Sequence, residues 1–354
     1  MSTNSRYVIP SEEAQWAVPG KFDTVFKWEY QETKDDLRKL YEKGKNLQWN
    51  TSTRIDWSQD LDPENPQELP DESISIFGSE MWNKMTRQEK ATLRRHQQAW
   101  SVSQFLHGEQ GALICTAKIV QQVPNIDAKF YAATQVMDEA RHVETYSRLL
   151  HEKFDLAYPI TPPLKRLLSD VLSDSRWDMT YLGMQVLIEG LALAAFAGIR
   201  DTAKNSLAAA VNAYVMQDEA RHVAFGRLAL RDYYPQLTQP ERDQREEFAV
   251  EASYLMRDRF RSEEMWEAVG LPVEQCVSYV DASPDMREFQ SRLFSRIVPT
   301  IRNIGLWGPK IRRAYSSMGV MGFAELDSEQ MMANDEKVAQ DFDERMGRQA
   351  MRNS

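Results

Sequence analysis

The chain has 354 residues, 42% of them hydrophobic, with a formal net charge of −10 and a pI near 5.2. That is enough apolar material for a large core, and the acidic balance argues against nucleic acid or an anionic membrane as a partner. By this reading no apolar run reaches membrane-spanning length, the start Met1 to Arg6 lacks the basic and apolar regions of a signal peptide, and Cys115 and Cys276 are too few for a disulfide framework; a cytoplasmic protein with reduced thiols and no membrane contact is expected.

Residues 1–85 read as an N-terminal arm with one polar helix around Gln31 to Lys45, then a segment from Gln48 to Trp57 and an acidic, proline-bearing stretch from Asp60 to Asp71. Trp49 and Trp57 are expected to clamp this arm by burying aromatic area. A capping box, Thr86 to Glu89, starts a long helix to about Gln122. It carries Glu109. Pro124 stops that helix, and Asn125 or Asp127 can cap the next. Pro159, Pro162 and Pro163 mark a link, followed by a short helix near Leu164 to Ser173 and a second helical hairpin from about Asp174 to Tyr233. A charged outer helix is expected from Thr238 to Val269, and a docked apolar segment from Ile297 to Tyr315. The domain proper is set at 86–325, and the polar tail 326–354 is expected to fray.

Within that domain the pentapeptide at Asp138–His142 recurs at Asp218–His222. Each copy holds a Glu and a His at i and i+3, which share one helical face: Glu139 with His142, and Glu219 with His222. Glu109 and Glu189 each precede their copy's glutamate by 30 residues. If each chain segment climbs, turns and returns antiparallel, the glutamates face each other only when the turn lies midway, at Pro124 and at Lys204. Each arm is then about 22 Å from turn to glutamate. The halves also match at an offset of 80 in apolar positions such as Ala112 and Ala192 or Val143 and Val223, the mark of an internal repeat. Asp138 and Asp218 lie about 100° around the helix from the adjacent glutamate, placed to receive the outer nitrogen of a histidine on a neighbouring helix. Arg141 and Arg221 can hold those aspartates; the plainer alternative is a solvated i,i+3 ion pair in each copy.

This doubled pattern, over about residues 87–232, resembles the ferritin-like di-iron carboxylate proteins, in which a Glu from each of two helices and a Glu-x-x-His from each of two others enclose two irons. The resemblance implies an all-α, ferritin-like four-helix bundle with additional helices and an N-terminal arm. It implies Glu139 and Glu219 as bridging ligands, Glu109 and Glu189 as terminal ligands, and His142 and His222 completing a set for two iron ions, with manganese as the alternative metal. Four carboxylates balance the +4 of two divalent ions.

The function it implies is activation of dioxygen as co-substrate by an oxygenase or oxidase acting on a small organic molecule through hydroxylation, N-oxygenation or desaturation. The length and the doubled Asp-Glu-x-x-His are similar to the aminobenzoate N-oxygenase group. That group carries a further histidine four residues before its second Glu-x-x-His, where this chain has Val215. Tyr146, one turn after His142 and opposite Gly226 in the repeat, resembles the radical tyrosine of the ribonucleotide reductase small subunit; a radical generator for a partner enzyme is therefore a second reading, and an iron-handling protein a third. Tyr146 can equally be a hydrogen-bonded core residue. Thr116 opposite Phe196 and Cys115 opposite Ala195 differ near the same level, and with Gly226 are expected to open an apolar pocket beside the metals. The chain has no dinucleotide fingerprint and too few cysteines for a cluster, so a separate electron-donating reductase is implied, with a homodimer left open.

Overall fold

In a computed structural model, residues 7–8, 16–28, 30 and 34–353 are described; the chain start and the helix onset expected at Gln31 lie outside them. The described residues are helical, apart from loops and one isolated bridge between Tyr7 and Ala157. In the arm, α1 (Asp35–Asn46), α2 (Thr51–Arg54) and α3 (Glu80–Lys84) lead to α4 (Arg87–Gln122) and α5 (Ile126–Arg148), the first hairpin. α6 (Pro162–Ser173) crosses to the second hairpin, whose rising arm runs through α7 (Trp177–Tyr181) and a π-helical stretch, Leu182–Ile188, into α8 (Glu189–Thr202) and returns as α9 (Ser206–Tyr233). Then follow α10 (Gln239–Asp258), α11 (Glu263–Ala268), α12 (Val273–Ala282), α13 (Pro284–Leu293), α14 (Ile297–Asn303), α15 (Pro309–Ser317) and α16 (Ser328–Asn353).

The caps explain why the hairpins turn where they do. Thr86 accepts from the Glu89 amide at 3.3 Å while Glu89 accepts from the Thr86 amide at 2.7 Å, so α4 starts on a closed capping box. Between α4 and α5 the cap is Asn125, which accepts from Ala128 N at 3.0 Å; Asp127 is instead buried against the arm, accepting from Lys34 N at 2.8 Å and pairing with Arg38. Asn205 caps α9 in the same way. The two midpoint residues, Pro124 and Lys204, both fall in these turns. Small residues set the spacing: a Cβ on Gly111 would lie 2.5 Å from Leu168 of α6, and one on Gly190 would lie 3.1 Å from Ile297 of α14.

Four expectations are corrected. The run Trp177–Thr202 is long and apolar enough to cross a membrane by length and composition, but 67% of its most apolar window is buried as a core helix of the bundle. The outer helix expected through Val269 breaks at 259–262, where Arg259 turns into the protein and Ser262 takes a φ of 52°. The part of the polar tail described from Ser328 is a helix, α16, docked along α9 with Asp335 buried and paired to Arg296 at 2.6 Å, and with Phe342 edge-on to Tyr214. The expected pocket is the fourth. Gly226 opens no space, because a Cβ there would lie 2.6 Å from Gln185 Cβ, and the π-helical stretch fills the place Tyr146 takes in the other hairpin.

Candidate metal centre

Glu109 on α4, Glu139 and His142 on α5, Glu189 on α8, and Glu219 and His222 on α9 converge at one level, all at least 95% buried. Potential ligand atoms of Glu109, Glu139, His142 and Glu219 lie within 4.8 Å of one another, and so do those of Glu139, Glu189 and His222. Glu139 belongs to both groups. Glu219 Oε1 lies 3.2 Å from His142 Nδ1 and 3.5 Å from His222 Nδ1, so it too stands between them. Glu109 reaches only the His142 side, at 3.3 Å.

The outer nitrogens are held crosswise. His142 Nε2 lies 3.0 Å from Asp218 Oδ2 on the other hairpin, and His222 Nε2 lies 3.2 Å from Asp138 Oδ2. With anionic aspartates as acceptors each histidine carries its proton on Nε2 and turns Nδ1 to the glutamates. Arg141 donates to Asp138 at 2.5 Å and to Asp218 at 2.8 Å, while Arg221 donates to Asp218 and, at 3.4 Å, to Asp138. These four residues form one buried square, and the solvated-pair alternative does not apply to them. Burial opposes the charge on Asp218, yet Arg221 and His142 hold its carboxyl well below the usual range.

The arm supplies two contacts that sequence reasoning missed. Gln48 donates to Asp138 at 2.7 Å and accepts from Arg141 at 2.7 Å. Trp49 Nε1 donates to Asp218 at 2.8 Å, and the Arg141 guanidinium lies 4.7 Å from the Trp49 ring centre. Trp57 packs under Arg148, 4.2 Å from its ring centre. Gln135 was also missed: its amide nitrogen donates to Glu139 and to Glu189, each at 3.0 Å. One turn before Glu139 on the same face, it was findable by the spacing that found His142. His96 and His107 bond Tyr158, and His151 faces Ser147; none joins the cluster.

Whether this set suits a metal pair can be judged from its unpaired atoms. Glu139 Oε2, Glu189 Oε2, both oxygens of Glu219 and His222 Nδ1 are buried without a hydrogen-bond partner, His222 Nδ1 lying 3.0 Å from Glu139 Oε1 but out of line for a hydrogen bond. Unpaired carboxylate oxygens are costly to bury. Burial and the neighbouring Glu219 push the Glu109 and Glu189 carboxyls well up. Buried His142 and His222 are pushed up too, because their carboxylate neighbours outweigh desolvation. Buried carboxyls and imidazoles crowded at one level hold protons where two divalent cations would displace them, and the set fits such a pair.

Away from the ligands the two hairpins diverge. Tyr146 packs against Phe105 and Phe196, ring centres 5.8 Å away in each case, and its hydroxyl donates to Asn212 Oδ1 at 3.2 Å. At an offset of 80 the counterparts of Tyr146, Phe105 and Phe196 are Gly226, Gln185 and Thr116. Gln185 donates to Thr116 at 3.3 Å, and its Oε1 is buried and unpaired, as is Gln135 Oε1. Tyr146, Phe105 and Phe196 therefore fill the level on the first hairpin, while on the second Gln185, Thr116 and Gly226 stand in their place, near the packed rings of Tyr131, Phe225 and Tyr181. Cys115 lies buried on α4 with its thiol pushed up by burial.

The fold and the site define a ferritin-like, dioxygen-activating carboxylate protein. The family model described as p-aminobenzoate N-oxygenase AurF matches residues 30–305. The chain belongs to that family, and is an oxidoreductase of the O2-activating di-iron oxygenase or oxidase kind that acts on a small molecule. Among solved structures it is similar to a variant of an R2-like ligand-binding oxidase with an anaerobically reconstituted Mn/Fe cofactor, at 19% identity over 77% of this chain and 94% of that one, with a TM-score of 0.50. A protein with aldehyde deformylating oxidase activity from Synechococcus matches at 16% identity, covering 63% of this chain and 97% of that one, with a TM-score of 0.46. At such identities the likeness is one of fold. No curated protein sequence matches the chain. Val215, where the group's further histidine would stand, is fully buried in the apolar cluster that holds Tyr146.

Proposed function

We propose that Glu109, Glu139, Glu189, Glu219, His142 and His222 would hold two iron ions, or manganese in their place, with Glu139 and Glu219 lying within reach of both histidines, and that the enzyme N-oxygenates a small amine. The observation that carries the metal assignment is the set of buried, unpaired acceptors at one level. The metal pair, when bound, supplies the reduction of dioxygen. The protein's own residues do the rest. Asp138 and Asp218 fix both imidazoles in the tautomer that leaves Nδ1 free, and the two arginines hold those aspartates in place. Gln135 ties Glu139 to Glu189 and holds their separation.

The amine is assigned to the side of Gln185 and Thr116, where Gln185 packs on Gly226 and closes the space, so that entry requires the Gln185 side chain to swing aside. Tyr146, Phe105 and Phe196 close the other side with rings, whereas Gln135 Oε1 and Gln185 Oε1 are acceptors still lacking a donor, which an N–H group supplies. In the balanced step, R–NH2, O2, two electrons and two protons give R–NHOH and water. A separate reductase supplies the electrons, the setting is cytoplasmic with both buried cysteines reduced, and the working unit is a homodimer. Tyr146 serves as a packed, hydrogen-bonded ring beside His142, not as a radical store.

The test is to load the protein with ferrous ion and expose it to air, a chemical reductant and a panel of aryl amines, phenols and alkanes, following products by mass spectrometry. Hydroxylamine from the amines alone is expected. Oxidation confined to C–H bonds would sink the amine assignment, and a stable tyrosyl signal without product would favour a radical generator.

A further inference from the structure

Six lysine and arginine residues are buried among the described residues, and five of them have acceptors. Lys118 donates to the carbonyls of Val171, Leu172 and Asp174 at the end of α6. Arg141, Arg221, Arg227 and Arg245 each pair with a carboxylate, the last with Asp178 at 2.9 Å. Arg259 is the sixth. It is 9% exposed, its Nε is buried without a hydrogen-bond partner, and no carboxylate among the described residues pairs with it.

The chain around it shows how it comes to stand alone. In the turn between α10 and α11, arginines alternate at 257, 259 and 261. Arg257 pairs with Asp258 at 2.6 Å and Arg261 with Asp281 of α12 at 3.2 Å, both pairs partly open to water. Between them the helix tightens to a 3₁₀ turn that ends on Ser262 at a φ of 52°, and the middle arginine is carried inward. Phe260 packs both on the main core and on the smaller core that contains Trp82, Trp100 and Trp266, so the turn lies at the seam of the two. The Phe260 ring, 5.6 Å from the guanidinium carbon, offsets only part of the cost of burying the charge. Burial lowers the group to about 10 and is the only influence on it, so it stays charged at neutral pH and no group of the metal centre answers it.

We infer that Arg259 binds a small monocarboxylate taken up from solution, at a site separate from the metal centre. The planar guanidinium offers a carboxylate two parallel donors. One positive charge with no second cation beside it balances one negative charge, which favours a monocarboxylate over a dianionic phosphate. The small opening admits a free acid more readily than a side chain of another protein. Oxidation does not consume this ligand. Its binding energy goes to the native state alone, because the unfolded chain has no such site, and the acid acts as an effector that pins the turn and α11 to the bundle.

Thermal unfolding of the metal-loaded full chain tests this, with sodium acetate or benzoate titrated against sodium chloride of equal ionic strength. The midpoint should rise by about 2 °C for each tenfold of acid above its dissociation constant, a rise that chloride does not give. Arg259→Met keeps much of the side chain's length and removes its charge. That variant should lose the rise, and in acid-free buffer it should unfold above the wild type, because an unpaired buried charge has gone. Arg259→Lys keeps the charge without the fork and should show a weaker rise. A rise that persists in Arg259→Met puts the acid elsewhere and overturns the site, as does an acid-free midpoint below that of the wild type, which would mean that the fold already satisfies the guanidinium. A stronger rise with phosphate overturns the monocarboxylate. If Arg259→Met does not fold, the wild type still decides, since a midpoint that ignores both acids overturns the proposal.

Discussion

The two hairpins present the same three candidate ligands from the same positions, yet differ in what stands behind them. In the first, Glu109 rides a regular α-helix and Tyr146 is wedged among rings; in the second, Glu189 follows a π-helical stretch that presses Gln185 against Gly226. The inner faces are nearly interchangeable, and the flanks are not. Divergence between the copies thus marks where a substrate can be told apart, whereas agreement marks what every metal-holding half needs.

The comparison breaks outright if the halves are not equal as metal holders. Replacing both His142 and His222 with Ala should leave the protein unable to retain either ion, and Glu109→Ala or Glu189→Ala should each cost chiefly the ion on its own side, as read by elemental analysis. Full occupancy in the double histidine variant would end the assignment. Next in size are the crossed aspartates: Asp218→Asn and Asp138→Asn should each lower metal affinity by about 10 to 100 fold while the fold persists, because each histidine loses the anionic acceptor that sets its tautomer and can face an amide donor instead. Equal losses would sharpen the symmetry; a larger loss at Asp218 would measure what Trp49 adds.

Flank variants should have smaller effects. Gly226→Ala drives a methyl into Gln185, and overpacking of this kind costs roughly 1–3 kcal/mol, visible in thermal or denaturant unfolding. An unshifted midpoint would mean the π-helical stretch yields at no cost. Tyr146→Phe keeps the ring and loses one hydrogen bond to Asn212, worth on the order of 1 kcal/mol. Oxygen uptake should survive it, and its complete loss with metal still bound would return Tyr146 to the chemistry.

Much of this centre was legible because its geometry is local and repeated. A glutamate, a 30-residue interval and an i,i+3 histidine fix the ligand level, and Pro124, Asn125 and Asn205 fix the turns through backbone chemistry readable in a single residue. What stayed hidden depends on distant or shape-driven contacts. No residue type announces that 182–188 winds as a π-helix, or that Gly226, about 40 residues on, is where Gln185 of that stretch packs. The tail's polar surface concealed Asp335, which docks because Arg296 waits for it. Trp49 and Trp57 looked like clamps, and nothing in the arm said that Gln48 and Trp49 would reach the aspartates.

That reach has a thermodynamic consequence. Gln48 and Trp49 touch the carboxylates that aim the histidines, so an ion favouring well-aimed imidazoles also favours the seated strap. By reciprocity the strap tightens the ion by the same factor that the ion tightens the strap. Residues 46–60 are then expected to open and meet a protease more often when the centre is empty, which makes the rate of a cut on the surface a gauge of occupancy deep in the bundle.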